Sequence, residues 1–223
     1  MKKYIFAVVF GILFTVSAIG QEKSFLLGFK FSPGINWYKP HSSGLKSSGA
    51  GANLSGGIIA DVRLIGNYFF ETGILYDFQK GNLTYQKENN SEVSRDYRVQ
   101  YLEIPLSIRM CTNRFGLLRL FGLGGFKTSF RTVASADETW QSQSESKMVN
   151  ATEDFAFLKE SLFFGLGTDI FIDKSSHLTL GINYSFSLSN VAGSSMRCYY
   201  DGILVEKPKF SNNVLELRLG IIF

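Results

Sequence analysis

Between Leu178 and Leu188 the chain alternates without a break. Leu178, Leu180, Ile182, Tyr184, Phe186 and Leu188 are large and apolar, while Thr179, Gly181, Asn183, Ser185 and Ser187 are small or polar. A period of two places one set on each face of a strand. The run exceeds the ~5–6 residues usual in soluble domains and matches the ~9–11 that a tilted strand needs to cross a bilayer. The last segment repeats the pattern. Leu215, Leu217, Leu219, Ile221 and Phe223 alternate with Glu216, Arg218 and Gly220.

Eight such segments follow one another: Phe25–Asn36, Asn53–Leu64, Tyr68–Gln79, Tyr97–Arg109, Phe115–Phe130, Ser161–Ile172, Leu178–Leu188 and Asn213–Phe223. Their connections alternate between long (Trp37–Ala52, Lys80–Asp96, Arg131–Glu160, Ser189–Asn212) and short (Ile65–Asn67, Met110–Arg114, Asp173–His177). Short turns at one rim and long loops at the other predict an all-β, eight-stranded, antiparallel up-and-down transmembrane β-barrel. An even strand number puts both termini at the short-turn, periplasmic rim. The long connections are rich in Ser, Asn, Gln, Lys and Glu, so they are expected to be solvated loops.

The two faces differ in kind. One carries Phe25, Leu27, Phe29, Phe31, Ile58, Ile74, Tyr76, Phe78, Leu102, Ile104, Leu106, Ile108, Leu162, Phe164, Leu166 and Ile170. The other carries Lys30, Asp61, Arg63, Glu71, Asp77, Glu103, Arg109, Asp169, Glu216 and Arg218, interspersed with glycines. A soluble lipocalin-like barrel would turn the apolar face inward to a ligand. A membrane barrel would turn it to lipid and pack a narrow lumen with small residues and paired charges. The near-absence of polar interruptions on the apolar face favours the membrane barrel. The charges of both signs then form a polar cluster that plugs the lumen, and a small pore is the alternative. The segment from Leu117 to Phe126 is apolar on both faces, and its parity stays open.

Composition sets the class. Aromatics make up 15% of the 223 residues, with 21 Phe, 22 Gly and only 4 Pro, which suits strands and excludes disorder. Met1-Lys2-Lys3, the apolar run Tyr4–Val16 and the small residues Ala18 and Gly20 form a secretory leader. Cleavage is expected before Gln21, leaving a single barrel domain over residues 21–223. Without Lys2 and Lys3 the net charge of +4 falls to about +2, so no nucleic-acid footprint remains. Phe223 ends an amphipathic strand and looks like the signal read by the barrel assembly machinery.

No catalytic, cofactor or metal constellation is found. His41 lies in the first long loop, where Ser42 and Ser43 follow it in a Ser-rich stretch that reads as loop, and His177 lies in a short turn; two His and two Cys at four separate points make no metal site. Cys111 and Cys198 are expected at opposite rims, about 30 Å apart, and therefore unbridged, with Cys198 reachable from outside. Trp140, Tyr199 and Tyr200 are the aromatics best placed in the long loops to meet a protein partner.

The hexapeptide Tyr101-Leu102-Glu103-Ile104-Pro105-Leu106, with the eight-strand rhythm, resembles the PorT-like outer-membrane barrels of Bacteroidota. The resemblance implies an outer-membrane location and a small barrel, and its namesake is associated with a secretion apparatus. Within the hexapeptide, Pro105 has no N–H to donate, so the ladder is expected to be interrupted or bulged there. The expected role is non-enzymatic: structural, accessory or loop-mediated binding.

Overall fold

The computed structural model describes residues 25–47, 49–86, 92–140, 143–173 and 176–223, with the side chains at 140 and 143–147 excepted. The leader predicted over residues 1–20 lies outside the described residues. Twelve strands follow in order: β1 (Phe25–Pro40), β2 (Leu45–Lys46), β3 (Ala50–Ile65), β4 (Tyr68–Gln86), β5 (Glu92–Cys111), β6 (Leu118–Trp140), β7 (Gln143–Asn150), β8 (Leu158–Phe171), β9 (His177–Ser187), β10 (Arg197–Tyr200), β11 (Ile203–Glu206) and β12 (Phe210–Ile222). Eight of them, β1, β3, β4, β5, β6, β8, β9 and β12, pair antiparallel with their neighbours in that order. The ladder from Gly28↔Ile222 to Pro40↔Phe210 then joins β1 to β12 and closes the barrel.

The alternation resolves as a membrane barrel requires. Phe29, Ile58, Ile74, Leu106, Phe164, Leu166, Ile182 and Leu217 face outward and are exposed, while Asn183, Glu216 and Arg218 are buried inside. This orientation excludes a lipocalin-like interior. It also settles the segment whose parity the sequence left open. Leu118, Leu120 and Phe126 point out, and Arg119, Phe121, Leu123 and Lys127 point in. Gly167 explains how a lumen this narrow admits an aromatic: a Cβ there would strike the Phe121 ring.

Pro105 sits where expected. The β4–β5 ladder has no partners between Thr72↔Leu106 and Leu75↔Glu103, although its register is unchanged across the gap. A bulge of another kind lies in β6. Gln100 pairs with Val133 but Tyr101 pairs with Arg131, so Thr132 is an extra residue. Below it the odd residues of β6 face inward. Above it Ala134, Ala136 and Glu138 do.

Three expectations need correction. The long connections are not mainly loops: β4, β5 and β6 run for 19, 20 and 23 residues. Beyond the apolar belt these strands pair with β7, β2 and the β10–β11 hairpin. Polar, alternating residues build an exposed sheet there, which composition alone does not distinguish from a solvated loop. His177 is not in a turn. It opens β9 and is 1% exposed, facing the lumen beside Asp169. Cys198, though unbridged like Cys111, is 0% exposed because the hairpin folds its side chain inward.

In a bilayer, Leu217→Arg should cost about 2–4 kcal/mol of folding free energy. Asn183→Leu, on the lumen side, should stay within about 1.5 kcal/mol. Denaturant titration of both variants refolded into vesicles checks the parity, and the reverse order of cost would refute it.

Candidate functional site

The interior is built in tiers. Nearest the short turns, Arg109 on β5 ion-pairs with Asp61 of β3 at 2.8 Å and with Asp169 of β8. Arg119 of β6 reaches the other oxygen of Asp169 at 2.8 Å, and Thr179 Oγ1 donates to the same carboxylate at 3.0 Å. Across the lumen, Arg218 Nη1 donates to Glu71 Oε1 at 2.8 Å. Phe121 fills the space between, with the Arg109 guanidinium 4.0 Å from its ring centre.

The middle tier holds Glu103 between Lys127 at 3.0 Å and Lys159 at 4.0 Å, with Ser129 Oγ donating at 2.8 Å. Lys30 lies 3.7 Å from Glu216. Asp77 accepts from Asn53 Nδ2 and Gln79 Nε2, each at 2.6 Å. These inward charges therefore meet opposite charges or amides, as burial demands. Of the sequence-predicted cluster, only Arg63 stands apart. It is half-buried at the rim, and its Nε donates to Gly66 O at 3.1 Å.

Lys127 and Lys159 were not legible as lumen residues. Lys127 lies on the segment of undecided parity, and Lys159 lies in what reads as a loop. One signal was available: with Arg119 inward, Lys127 shares its parity.

Above the charges the chemistry changes. Tyr38, Tyr97, Tyr101, Phe155, Val191, Met196, Cys198 and Phe210 form an apolar cap. Phe155 packs edge-on to Tyr97 and Phe210, with ring centres 4.9 and 5.8 Å apart. The short turn Thr152–Asp154 brings Phe155 to this place. Arg95 pins the turn through Asp154 at 2.6 Å, while its Nε bonds Glu138 at 2.7 Å. Burial raises the Asp154 carboxyl, opposed by Arg95, and pushes the Tyr85 hydroxyl up to about 12.

The remaining candidates separate. Tyr200 is exposed on the outer hairpin, and Tyr199 is half-buried where β10 meets Gln86 of β4. The Trp140 side chain lies outside the described residues. His41 Nε2 comes within 3.0 Å of Ser211 Oγ at the end of the β1–β12 seam. Among the described residues no carboxylate orients that ring, so the pair fastens the seam and lacks the third member of a catalytic triad. Among the described residues no group of three or more metal-ligating side chains forms either.

A closed eight-stranded barrel with an apolar outer belt and a salt-bridged interior defines the class of small outer-membrane barrels. The chain belongs to the outer membrane protein beta-barrel domain family, whose sequence pattern matches residues 19–193. No curated protein matches it in sequence. Among solved structures, neisserial surface protein A is similar at 14% identity, over 90% of this chain and 96% of its own, with a TM-score of 0.50. The attachment invasion locus protein Ail of Yersinia pestis, bound to the heparin analogue sucrose octasulfate, is 11% identical over 90% of this chain and 99% of its own, at 0.39. The outer membrane protease OmpT of Escherichia coli is 7% identical over 93% and 99%, at 0.44. The first likeness supports the fold. The other two are too distant to bear on function.

Arg109→Met should destabilise the barrel by about 3–5 kcal/mol, because it strands Asp61 and Asp169 in the lumen. Equilibrium unfolding in vesicles measures this, and a loss below about 1 kcal/mol would deny the network its role. Cys198 should resist an impermeant thiol reagent in the native protein and become reactive in Phe155→Ala, which loosens the cap. Mass spectrometry of labelled protein reads both states.

Proposed function

We propose that the chain is a closed, non-conducting and non-enzymatic outer-membrane scaffold whose extension beyond the belt binds a protein partner. The observation that carries this reading is the length of β4, β5 and β6. At 19, 20 and 23 residues, they are about twice what crossing needs. The surplus supports a sheet in the order β7–β6–β5–β4–β10–β11, with edge strands at both ends. The β10–β11 hairpin turns through Asp201-Gly202, both at positive φ, as a two-residue hairpin prefers. Ile203, at its tip, is 70% exposed. A large apolar residue held in water on a rigid edge suits protein contact better than solubility.

The filled lumen supports the non-conducting part of the proposal. An eight-stranded interior is just wide enough for side chains, and here ion pairs and the Phe155 cap occupy it. In this reading both termini are periplasmic, the leader is removed on export, and the extension faces outward from the cell. The Tyr101–Leu106 hexapeptide supports a PorT-like assignment. Membership of a secretion apparatus is the second reading, favoured by the same extension.

The purified protein should give no conductance steps in planar bilayers. A photo-crosslinking residue at Ile203 should give a discrete protein adduct in native cells, whereas one at Ile182 in the belt should not. Stable channels, or adducts at neither site, would overturn the proposal.

A further inference from the structure

The ladder that closes the barrel is broken at one rung. Its partners run from Gly28↔Ile222 to Phe31↔Leu219 and resume at Gly34↔Glu216 in the same register. Pro33 lies in the gap, opposite Leu217. Six positions away on each strand, Leu27 and Phe223 exchange both backbone hydrogen bonds, at 3.2 and 2.8 Å. In an antiparallel pair such hydrogen-bonded positions recur at every second residue, so Pro33 and Leu217 occupy one. Pro33 has no N–H to give, and the Leu217 carbonyl loses its ladder donor. The Leu217 side chain faces outward to hydrocarbon, where an unpaired carbonyl is costly.

On the lumen side, the break is ringed by polar atoms that no protein group satisfies. Gly34 stands at the centre, with Ser32 and Asn36 two residues away on either side along β1. Across the two ladders Gly34 faces Glu216 of β12 and Asn53 of β3, and Ser55 of β3 faces Ser32. None of these five side chains is more than 4% exposed. Ser32 Oγ, both amide atoms of Asn36, Asn53 Oδ1, Ser55 Oγ and Glu216 Oε1 have no hydrogen-bond partner in the protein. The Asn53 nitrogen is engaged by Asp77 and the Phe78 carbonyl, and the other oxygen of Glu216 lies 3.7 Å from Lys30. Glycine keeps the centre of the ring clear, since a Cβ at Gly34 would strike the Leu215 carbonyl.

We propose that this ring is a binding site for ordered water, and that one of its waters donates to the Leu217 carbonyl in place of the missing Pro33 N–H. Buried polar atoms are paired with protein or with water, and here the protein supplies no partner. The chemistry of the set selects water. It mixes acceptor oxygens with two hydroxyls and the Asn36 amide, and water serves donors and acceptors together. A metal cation would meet the Asn36 N–H groups and Lys30. It would also add a charge to a lumen whose carboxylates already have cations beside them. Buried waters make about three hydrogen bonds each, so about two or three of them satisfy the ring and the carbonyl. Along β1 the ring ends at Lys30 on one side and at Tyr38 of the aromatic cap on the other, so these waters are enclosed and form no passage. The inference rests on the membrane barrel and is independent of what the extension binds.

Solid-state NMR of the folded mature protein in lipid bilayers tests this by transferring magnetisation from water. The Asn36 and Asn53 side-chain amides and the Leu217 carbonyl should receive it faster than the backbone of Leu123, which packs with Phe121 and Phe163 in an apolar part of the lumen. Pro33→Ala restores the N–H and should abolish transfer to the Leu217 carbonyl while preserving transfer to Asn36. Ser32→Ala with Asn36→Leu should abolish transfer to Asn53. Heat-modifiability on a gel confirms folding of each variant, and the wild type with Pro33→Ala decides the matter if the double variant does not fold. Wild-type transfer to Asn36 and Leu217 no faster than to Leu123 would overturn the proposal. So would transfer to Leu217 that Pro33→Ala leaves unchanged. Resonances of the ring that shift when potassium replaces sodium would reassign the site to a cation and overturn water as its ligand.

Discussion

The ladder between Phe25–Pro40 and Phe210–Ile222 is the contact on which the rest of the molecule depends. In hydrocarbon an unpaired backbone amide or carbonyl costs several kcal/mol, and only closure removes the sheet edges that would expose them. Once β12 pairs with β1, the side chains have only two directions to point. Within the belt the apolar set must face out and the charges must share the lumen. The shape of the lumen then follows from the strand count, and its contents follow from the sequence.

That confinement explains the interior. Among the described residues, six carboxylates (Asp61, Glu71, Asp77, Glu103, Asp169, Glu216) face six cations (Lys30, Arg109, Arg119, Lys127, Lys159, Arg218). Each shared carboxylate ties several strands together. Asp169 links β5, β6, β8 and β9, and Glu103 links β5, β6 and β8. The ion pairs brace a thin wall from within, in the place where a larger protein would have an apolar core. Aromatic packing takes over where the strands leave the belt, because there Phe155 and Tyr97 can gather between the extended strands.

The sequence made the spanning part legible because alternation is strict wherever one face meets hydrocarbon. A polar side chain on that face would be costly, so the signal at Phe164, Ile182 and Leu217 is clean. Beyond the belt both faces of a strand can be polar, and the signal fades. Residues 131–157 therefore read as a loop although they contain the upper part of β6 and all of β7. The same fading hid Lys159. His177 was misplaced by a single residue because a short polar turn leaves the start of β9 undefined. The cap could not be read at all: Phe155, Tyr38 and Phe210 lie far apart in the chain, and no local pattern announces their meeting.

The extra residue at Thr132 has a consequence for how such a chain can change. Thr132 Oγ1 donates to Gln100 O at 3.1 Å and lies 3.2 Å from the Tyr76 hydroxyl, so the bulge is fastened to β5 and β4. A single inserted residue in a strand normally exchanges its inner and outer faces all the way to the next turn. Here one such exchange is already absorbed at a fixed point. The spanning and projecting parts of β6 are thereby out of phase with each other yet each in phase with its own surroundings. Insertions and deletions above Thr132 leave the alternation below it intact, so the projecting half of the molecule is free to diversify while the belt keeps its frame.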